Sequence, residues 1–152
     1  MKPTSILFCI VILCVGLINS CKKDTAPKNI TLHDQPLSVI QEYIQGNWKL
    51  QNTKGGFCGT CIFYPTDSTY NFYLNLNTLR IKFRNAHFKT LDTTINWLYV
   101  PDIVLGDSTY TLNFSDSSGI PFTFAANRIY NDTLVLYQPN PDGQSFYYIK
   151  SN

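Results

Sequence analysis

The chain has 152 residues, 44% hydrophobic and 14% charged, enough for one domain with a modest core and too few for two. Its 12 basic and 10 acidic side chains give a net charge of +2, without the concentrated positive charge that a nucleic-acid partner requires. Glu42 is the sole glutamate and His33 and His87 the sole histidines, so the groups that general acid–base catalysis draws on are scarce and no enzyme is expected.

Residues 1–20 have the parts of a secretory signal: Lys2 as the positive end, a nearly continuous apolar run from Ile6 to Ile18, then small or polar Asn19 and Ser20. The run meets Cys21, Lys22, Lys23 and Asp24 before reaching the roughly 20 apolar residues that a spanning helix needs. With Ile18 three positions before Cys21 and Ser20 immediately before it, the stretch resembles the lipobox of bacterial lipoproteins. That resemblance implies cleavage before Cys21, a diacylglyceryl thioether on its sulfur and an acylated amine such as palmitate. The competing readings are an ordinary signal peptide followed by an unrelated cysteine, and an uncleaved anchor. Lys22, rather than an aspartate, after Cys21 implies, by the sorting rule of such lipoproteins, a lipid-anchored place in the cell envelope at the outer membrane.

Residues 21–33 then read as a polar tether without periodicity, and 34–152 as the folded domain. Asp34 is a candidate cap for a short helix with Pro36 in its first turn, Leu37, Ile40 and Ile44 at helical spacing, and Gly46 as its end. From Asn47 the period changes to two. Strands are predicted over 48–53, 70–76, 79–89, 93–100, 108–114, 122–130, 132–138 and 145–150, separated by turn chemistry such as Gly106-Asp107, Ser118-Gly119, Asn131-Asp132 and Pro141-Asp142-Gly143. Without a second long helix to make parallel crossovers, eight short strands predict an all-β antiparallel up-and-down barrel preceded by one short helix. Closure removes the sheet edges and leaves an interior for side chains or one small ligand. Arg80, Lys82 and Arg84 alternate with Leu79, Ile81 and Phe83, which predicts a charged outer face over a buried inner one.

Five cysteines divide unevenly along this plan. Cys9 and Cys14 leave with the signal, Cys21 carries lipid, and Cys58 and Cys61 remain. A lone pair in an oxidising compartment reads as a disulfide. An exchange-active pair and a metal site are the alternatives, the first because CGTC has thioredoxin-like spacing. The setting, TKGGFCGTCIFYPTD, is a loop entering a strand rather than a helix start. Zinc would want further ligands, and His33 and His87 are the only imidazoles on offer; no metal or other cofactor is expected.

At the helix–strand junction, IQGNWKL over residues 44–50 resembles the GxW first strand of the lipocalins, preceded as there by a short helix at the closed end of the barrel. Together with GGFCGTC and NDTLVLYQPNPDGQSFYYIK, the chain is similar to small lipocalin-like lipoproteins typical of the Bacteroidetes. The resemblance implies that Trp48 packs the barrel base rather than touching a ligand. Lipocalins pair that indole with an arginine near the last strand. Here the last strand ends in Lys150, and Arg128 lies on an earlier one.

Ten tyrosines, ten phenylalanines and two tryptophans fall largely on one face of the predicted strands. Solid packing of the core uses such rings; so does a cavity for a small hydrophobic or amphipathic ligand. Tyr70, Phe72, Phe83, Trp97, Tyr110 and Phe124 are the candidate ligand-lining residues. The other expectation is a non-catalytic interaction module that binds an envelope protein or a glycan through outward aromatics, with Tyr73, Tyr137 and Tyr147 as candidates.

Overall fold

A computed structural model describes residues 29–65, 73–77, 79–84 and 90–151, the side chains of Tyr73, Phe83 and Arg84 excepted. The expectations for the signal segment, Cys21, residues 22–28, Tyr70, Phe72 and His87 lie outside the described residues. Among the described residues, eleven strands and one helix follow in chain order. They are β1 (Asn29–Thr31), α1 (Leu37–Ile44), β2 (Gly46–Gly55), β3 (Ile62–Phe63), β4 (Tyr73–Leu76), β5 (Arg80–Arg84) and β6 (Leu91–Thr94), then β7 (Asn96–Pro101), β8 (Ser108–Ser115), β9 (Pro121–Tyr130), β10 (Thr133–Tyr137) and β11 (Gln144–Lys150).

All pairings are antiparallel, in the order β6-β5-β4-β2-β11-β10-β9-β8-β7, with β1 added to β9 and β3 to β2. The path begins and ends on strands that are consecutive in the chain. Only Ile95 separates β6 from β7; its side chain is buried, and its N–H donates to the Leu79 carbonyl at 2.8 Å. One stretch therefore pairs with β5 through its first half and with β8 through its second. The result is a nearly closed barrel built as an up-and-down meander. Each of the eight predicted strands contributes to it; the larger count arises because the 93–100 segment divides at Ile95 and because β1 and β3 are extra short strands.

The period-two pattern explains the core. Leu50, Leu74, Leu76, Ile81, Leu112, Phe114, Phe124, Leu134, Leu136 and Tyr148 are buried together, each worth roughly 1.5–3 kcal/mol relative to exposure. On β9 the alternation breaks, since Ala126 and Ile129 both belong to the core. The register shifts there, with Leu136 opposite Ala126 and Val135 opposite Arg128, so Asn127 is the extra residue of a bulge. Its carbonyl is thereby left to accept from the N–H groups of Leu32 (2.7 Å) and His33 (3.1 Å).

The bulge thus docks the N-terminal segment, and this corrects the tether's extent. Residues 29–33 belong to the domain: β1 pairs with β9, Leu32 is fully buried and His33 nearly so. A polar composition concealed this, because β1 supplies backbone pairing and a single apolar anchor rather than a periodic face. Asp34 does not cap α1. Pro36 occupies that position without a side-chain cap bond, and Asp34 accepts instead from Gln35 Nε2 at 3.2 Å.

Gly46, with φ of 123°, takes the backbone through a left-handed turn from α1 into β2. Ile40 and Ile44 of α1 enter the core, and Trp48 is buried with its Nε1–H donating to the Ile44 carbonyl at 2.7 Å. Lys150 Nζ lies 5.8 Å from the centroid of that indole ring, within cation–π reach. Helix α1, the connection from β4 to β5 and the turns at 102–107 and 131–132 mark one end of the barrel. The turns at 56–61, 116–120 and 138–143 mark the other.

On β5 the alternation holds at Arg80, Ile81 and Lys82, whereas Leu79, expected inside, is 62% exposed just before the strand begins. Exposed Asp92 pairs with Arg80 at 2.6 Å and Lys82 at 3.6 Å, while Ile81 between them is fully buried. At this strand an apolar interior lies behind a charged exterior, whereas the outer face of a lipid-spanning barrel is apolar. Among the described residues no helix is long and apolar enough to cross a membrane.

Candidate functional site

At the end away from α1, aromatic side chains from three strands meet inside the wall. Phe114 on β8 stacks with Phe122 and Phe124 of β9 at centroid distances of 5.2 and 6.1 Å, and Phe124 meets Phe146 of β11 edge-on at 5.2 Å. Phe114 and Phe124 are buried; Phe122 and Phe146 are half-buried. Thr53 is the register partner of both Phe146 and Phe63, so those two phenylalanines share a face of the sheet across it. Phe63 is 53% exposed. The rings thus run from the core to solvent at this mouth.

The β2–β3 loop stands beside the mouth. Cys58 and Cys61 are joined there as a disulfide, and Gly55 N–H closes the loop onto the Cys61 carbonyl at 3.1 Å. Phe57, Ile62 and Tyr64 flank the disulfide and are exposed along with Phe63, Phe57 almost completely. Asn52, one position before Thr53, is buried with an Oδ1 that finds no hydrogen-bond partner among the described residues.

The candidate ligand-lining residues do not all converge. Phe124 belongs to the ring cluster. Trp97 shares its cross-strand row, with Leu112 between them, and is half-buried against the core. Tyr110 lies one step nearer the helix-closed end, its ring 4.8 Å from that of Tyr99. Phe83 pairs by backbone with Leu74 and Leu91; its side chain, like Tyr70 and Phe72, lies outside what is described. Phe114, Phe122 and Phe146 sat on the same alternating face in the sequence, and the signal distinguishing them was their closeness to the turns at 116–120 and 138–143.

A second cluster was not foreseen. Asp102, directly after β7, has a fully buried carboxylate. Its Oδ2 accepts from Tyr137 OH in a short hydrogen bond and lies 3.0 Å from His33 Nε2. Its Oδ1 accepts from the N–H groups of Val104 at 2.9 Å and Leu105 at 3.3 Å. Thr109 Oγ1 donates to the His33 carbonyl at 2.8 Å. Burial pushes the Asp102 carboxyl up, but bonds from Tyr137, the two amides and His33 outweigh it and hold the group below its ordinary value. Burial, reinforced by the bond to Asp102 and its charge, drives the Tyr137 phenol well above the usual tyrosine range. The arrangement is therefore a carboxylate held ionised by converging donors, and its physical effect is to clasp β10, the β7–β8 turn and the segment after β1.

Tyr137 was expected as an outward binding aromatic. It does lie on the outer face of β10, yet it is 5% exposed because the N-terminal segment and the β7–β8 turn cover that face. Tyr147 is half-buried, with Lys54 Nζ 4.9 Å from its ring centroid. No family description, curated protein or solved structure matches the chain.

Proposed function

We propose that the protein is a lipocalin-like lipoprotein, anchored in the outer membrane through Cys21, whose barrel takes a small hydrophobic or amphipathic molecule at its open end. The observation that carries this reading is the ring cluster Phe114–Phe122–Phe124–Phe146, which leads from the core to partly exposed phenylalanines at the mouth. Apolar walls with few polar points are what such ligands require. The lipocalin likeness is supported by buried Trp48 at the helix-closed end, with Lys150 Nζ 5.8 Å from its ring where the family pattern would have an arginine as the partner. No catalytic role is proposed, since the one buried carboxylate among the described residues, Asp102, is engaged by Tyr137, His33 and two backbone amides.

Native mass spectrometry of the envelope-purified chain, followed by displacement of a fluorescent fatty-acid probe, tests the reading. A bound species that Phe122→Ala and Phe146→Ala reduce is the expected result. A chain that carries nothing and takes up no probe would overturn it.

The exposed group Phe57, Ile62, Phe63 and Tyr64 favours a second reading, in which the β2–β3 loop docks an envelope protein or a glycan. Phe57→Ala with Ile62→Ala, two exposed positions outside the row of mouth rings, would then abolish capture of that partner while leaving probe uptake intact.

A further inference from the structure

The β7–β8 turn carries three consecutive exposed aliphatic residues: Ile103 at 67%, and Val104 and Leu105 each at 49%. Apolar side chains in such a row are unfavourable in water unless something covers them. The turn holds them rigidly. Asp102 N–H donates to the Asp107 carbonyl at 2.6 Å and Gly106 N–H to the Asp102 carbonyl at 2.9 Å. The Asp102 carboxylate binds the Val104 and Leu105 amides and is itself fixed by His33 and Tyr137.

The same turn stands at the end of the barrel where the chain enters. Asn29 pairs with Tyr130 at the last residue of β9, and its Oδ1 accepts from Asn131 N–H at 3.1 Å. From there β1 runs up β9 to His33, which meets the turn at Asp102. Cys21 stands eight residues before Asn29, and eight residues span at most ~28 Å when extended. A lipid on Cys21 therefore keeps this end near the bilayer. Bringing the mouth to the bilayer instead would stretch the tether along the barrel wall, at a cost in conformational entropy.

The geometry points to the Ile103-Val104-Leu105 turn as a bilayer contact that seats the helix-closed end on the membrane and turns the mouth away from it. This rests on the anchoring of Cys21 proposed above. A bilayer fits the turn better than a protein does. Protein hot spots favour Trp, Tyr and Arg, and the three exposed side chains at the crest of this turn are aliphatic; Tyr130, 55% exposed at the same end, is of a type that membrane interfaces also favour. The turn is bounded by Asp102 and Asp107 and holds no basic residue between them, so apolar contact rather than attraction to anionic headgroups makes the association. The several acyl chains on Cys21 anchor the protein by themselves; the turn adds apolar contact that fixes which end faces the bilayer.

The test uses the full lipidated chain, reconstituted into vesicles of phosphatidylethanolamine and phosphatidylglycerol. A polarity-sensitive fluorophore is placed on Ile103→Cys, Val104→Cys or, for the mouth, Phe57→Cys, with Cys58 and Cys61 oxidised. Flotation reads anchoring, and quenching by doxyl-labelled lipid reads contact. Blue-shifted, quenched emission at 103 and 104 with unshifted emission at 57 is the expected result. Flotation without quenching at either turn position overturns the contact while leaving the anchor standing, and so does quenching confined to 57. A chain that does not float overturns both.

Discussion

The two ends of the barrel are built from different materials. At the helix-closed end, polar groups that the fold has buried do the joining: Asp102 gathers donors from β10, from its own turn and from the segment after β1, while Trp48 hands its N–H to α1. At the mouth, rings meet rings and a disulfide shapes the loop. The difference teaches where each end can tolerate change. A buried polar clasp loses most when one member goes, because the others are left without partners. A stack of rings near solvent loses only area.

Asp102→Ala is the sharpest way to break the contrast. It leaves the Tyr137 hydroxyl and His33 buried without their acceptor, and we expect a loss of about 3–5 kcal/mol in urea unfolding. A loss close to that of an ordinary surface change would mean that the clasp carries no structural weight. Replacing Cys58 and Cys61 by serine at the other end should cost about 2 kcal/mol, the chain-entropy value for so small a ring. Phe122→Ala removes a half-buried ring and should cost about 1–2 kcal/mol, below the range for fully buried phenylalanine. That same variant should show the larger proportional loss in probe uptake. Lys150→Met, which withdraws the cation from the Trp48 ring, should cost about 0.5–1 kcal/mol and shift the indole emission.

Acidity separates the ends in another way. The Asp102 carboxyl is held below its ordinary value in the folded chain. Its contribution is therefore complete above the unfolded value of about 3.9 and disappears as pH falls through the lower folded one. Tyr137 and, by burial alone, Tyr148 are raised. Their contribution is complete below about pH 10, the unfolded tyrosine value, and is lost as pH rises through the folded values. Unfolding free energy measured against pH should thus decline on both flanks. Asp102→Asn should flatten the acid flank, and the mouth variants should leave its shape unchanged.

Much of the wall was legible because strand alternation is local chemistry. Ile81, Leu112, Leu134 and Leu136 announce their burial through period two alone, and Gly46 and Asn131-Asp132 announce their turns. Both residues of that hairpin turn have positive φ, 46° and 59°, as a tight two-residue connection demands. The clasp was illegible for a reason equally physical. His33 and Asp102 are 69 positions apart, and each sits in a stretch whose composition reads as tether or loop. Their burial depends on the Asn127 bulge, which freed a carbonyl to receive the N-terminal segment. Tyr137 misled in the same way: its parity on β10 is outward, and only the docking of distant segments covers it.

The amino-acid sequence by itself determined the strand repertoire, the short helix before a GxW strand, and the charged exterior over an apolar interior. These follow from side-chain period and turn chemistry, which act over a few residues. Tertiary structure alone decided that β6 and β7 bring the barrel nearly to closure by sharing one stretch between two neighbours. It also decided that residues 29–33 belong to the fold, and that the aliphatic turn and the aromatic mouth stand at opposite ends. Those outcomes depend on register between distant strands, and register is set only when every strand has found its partner.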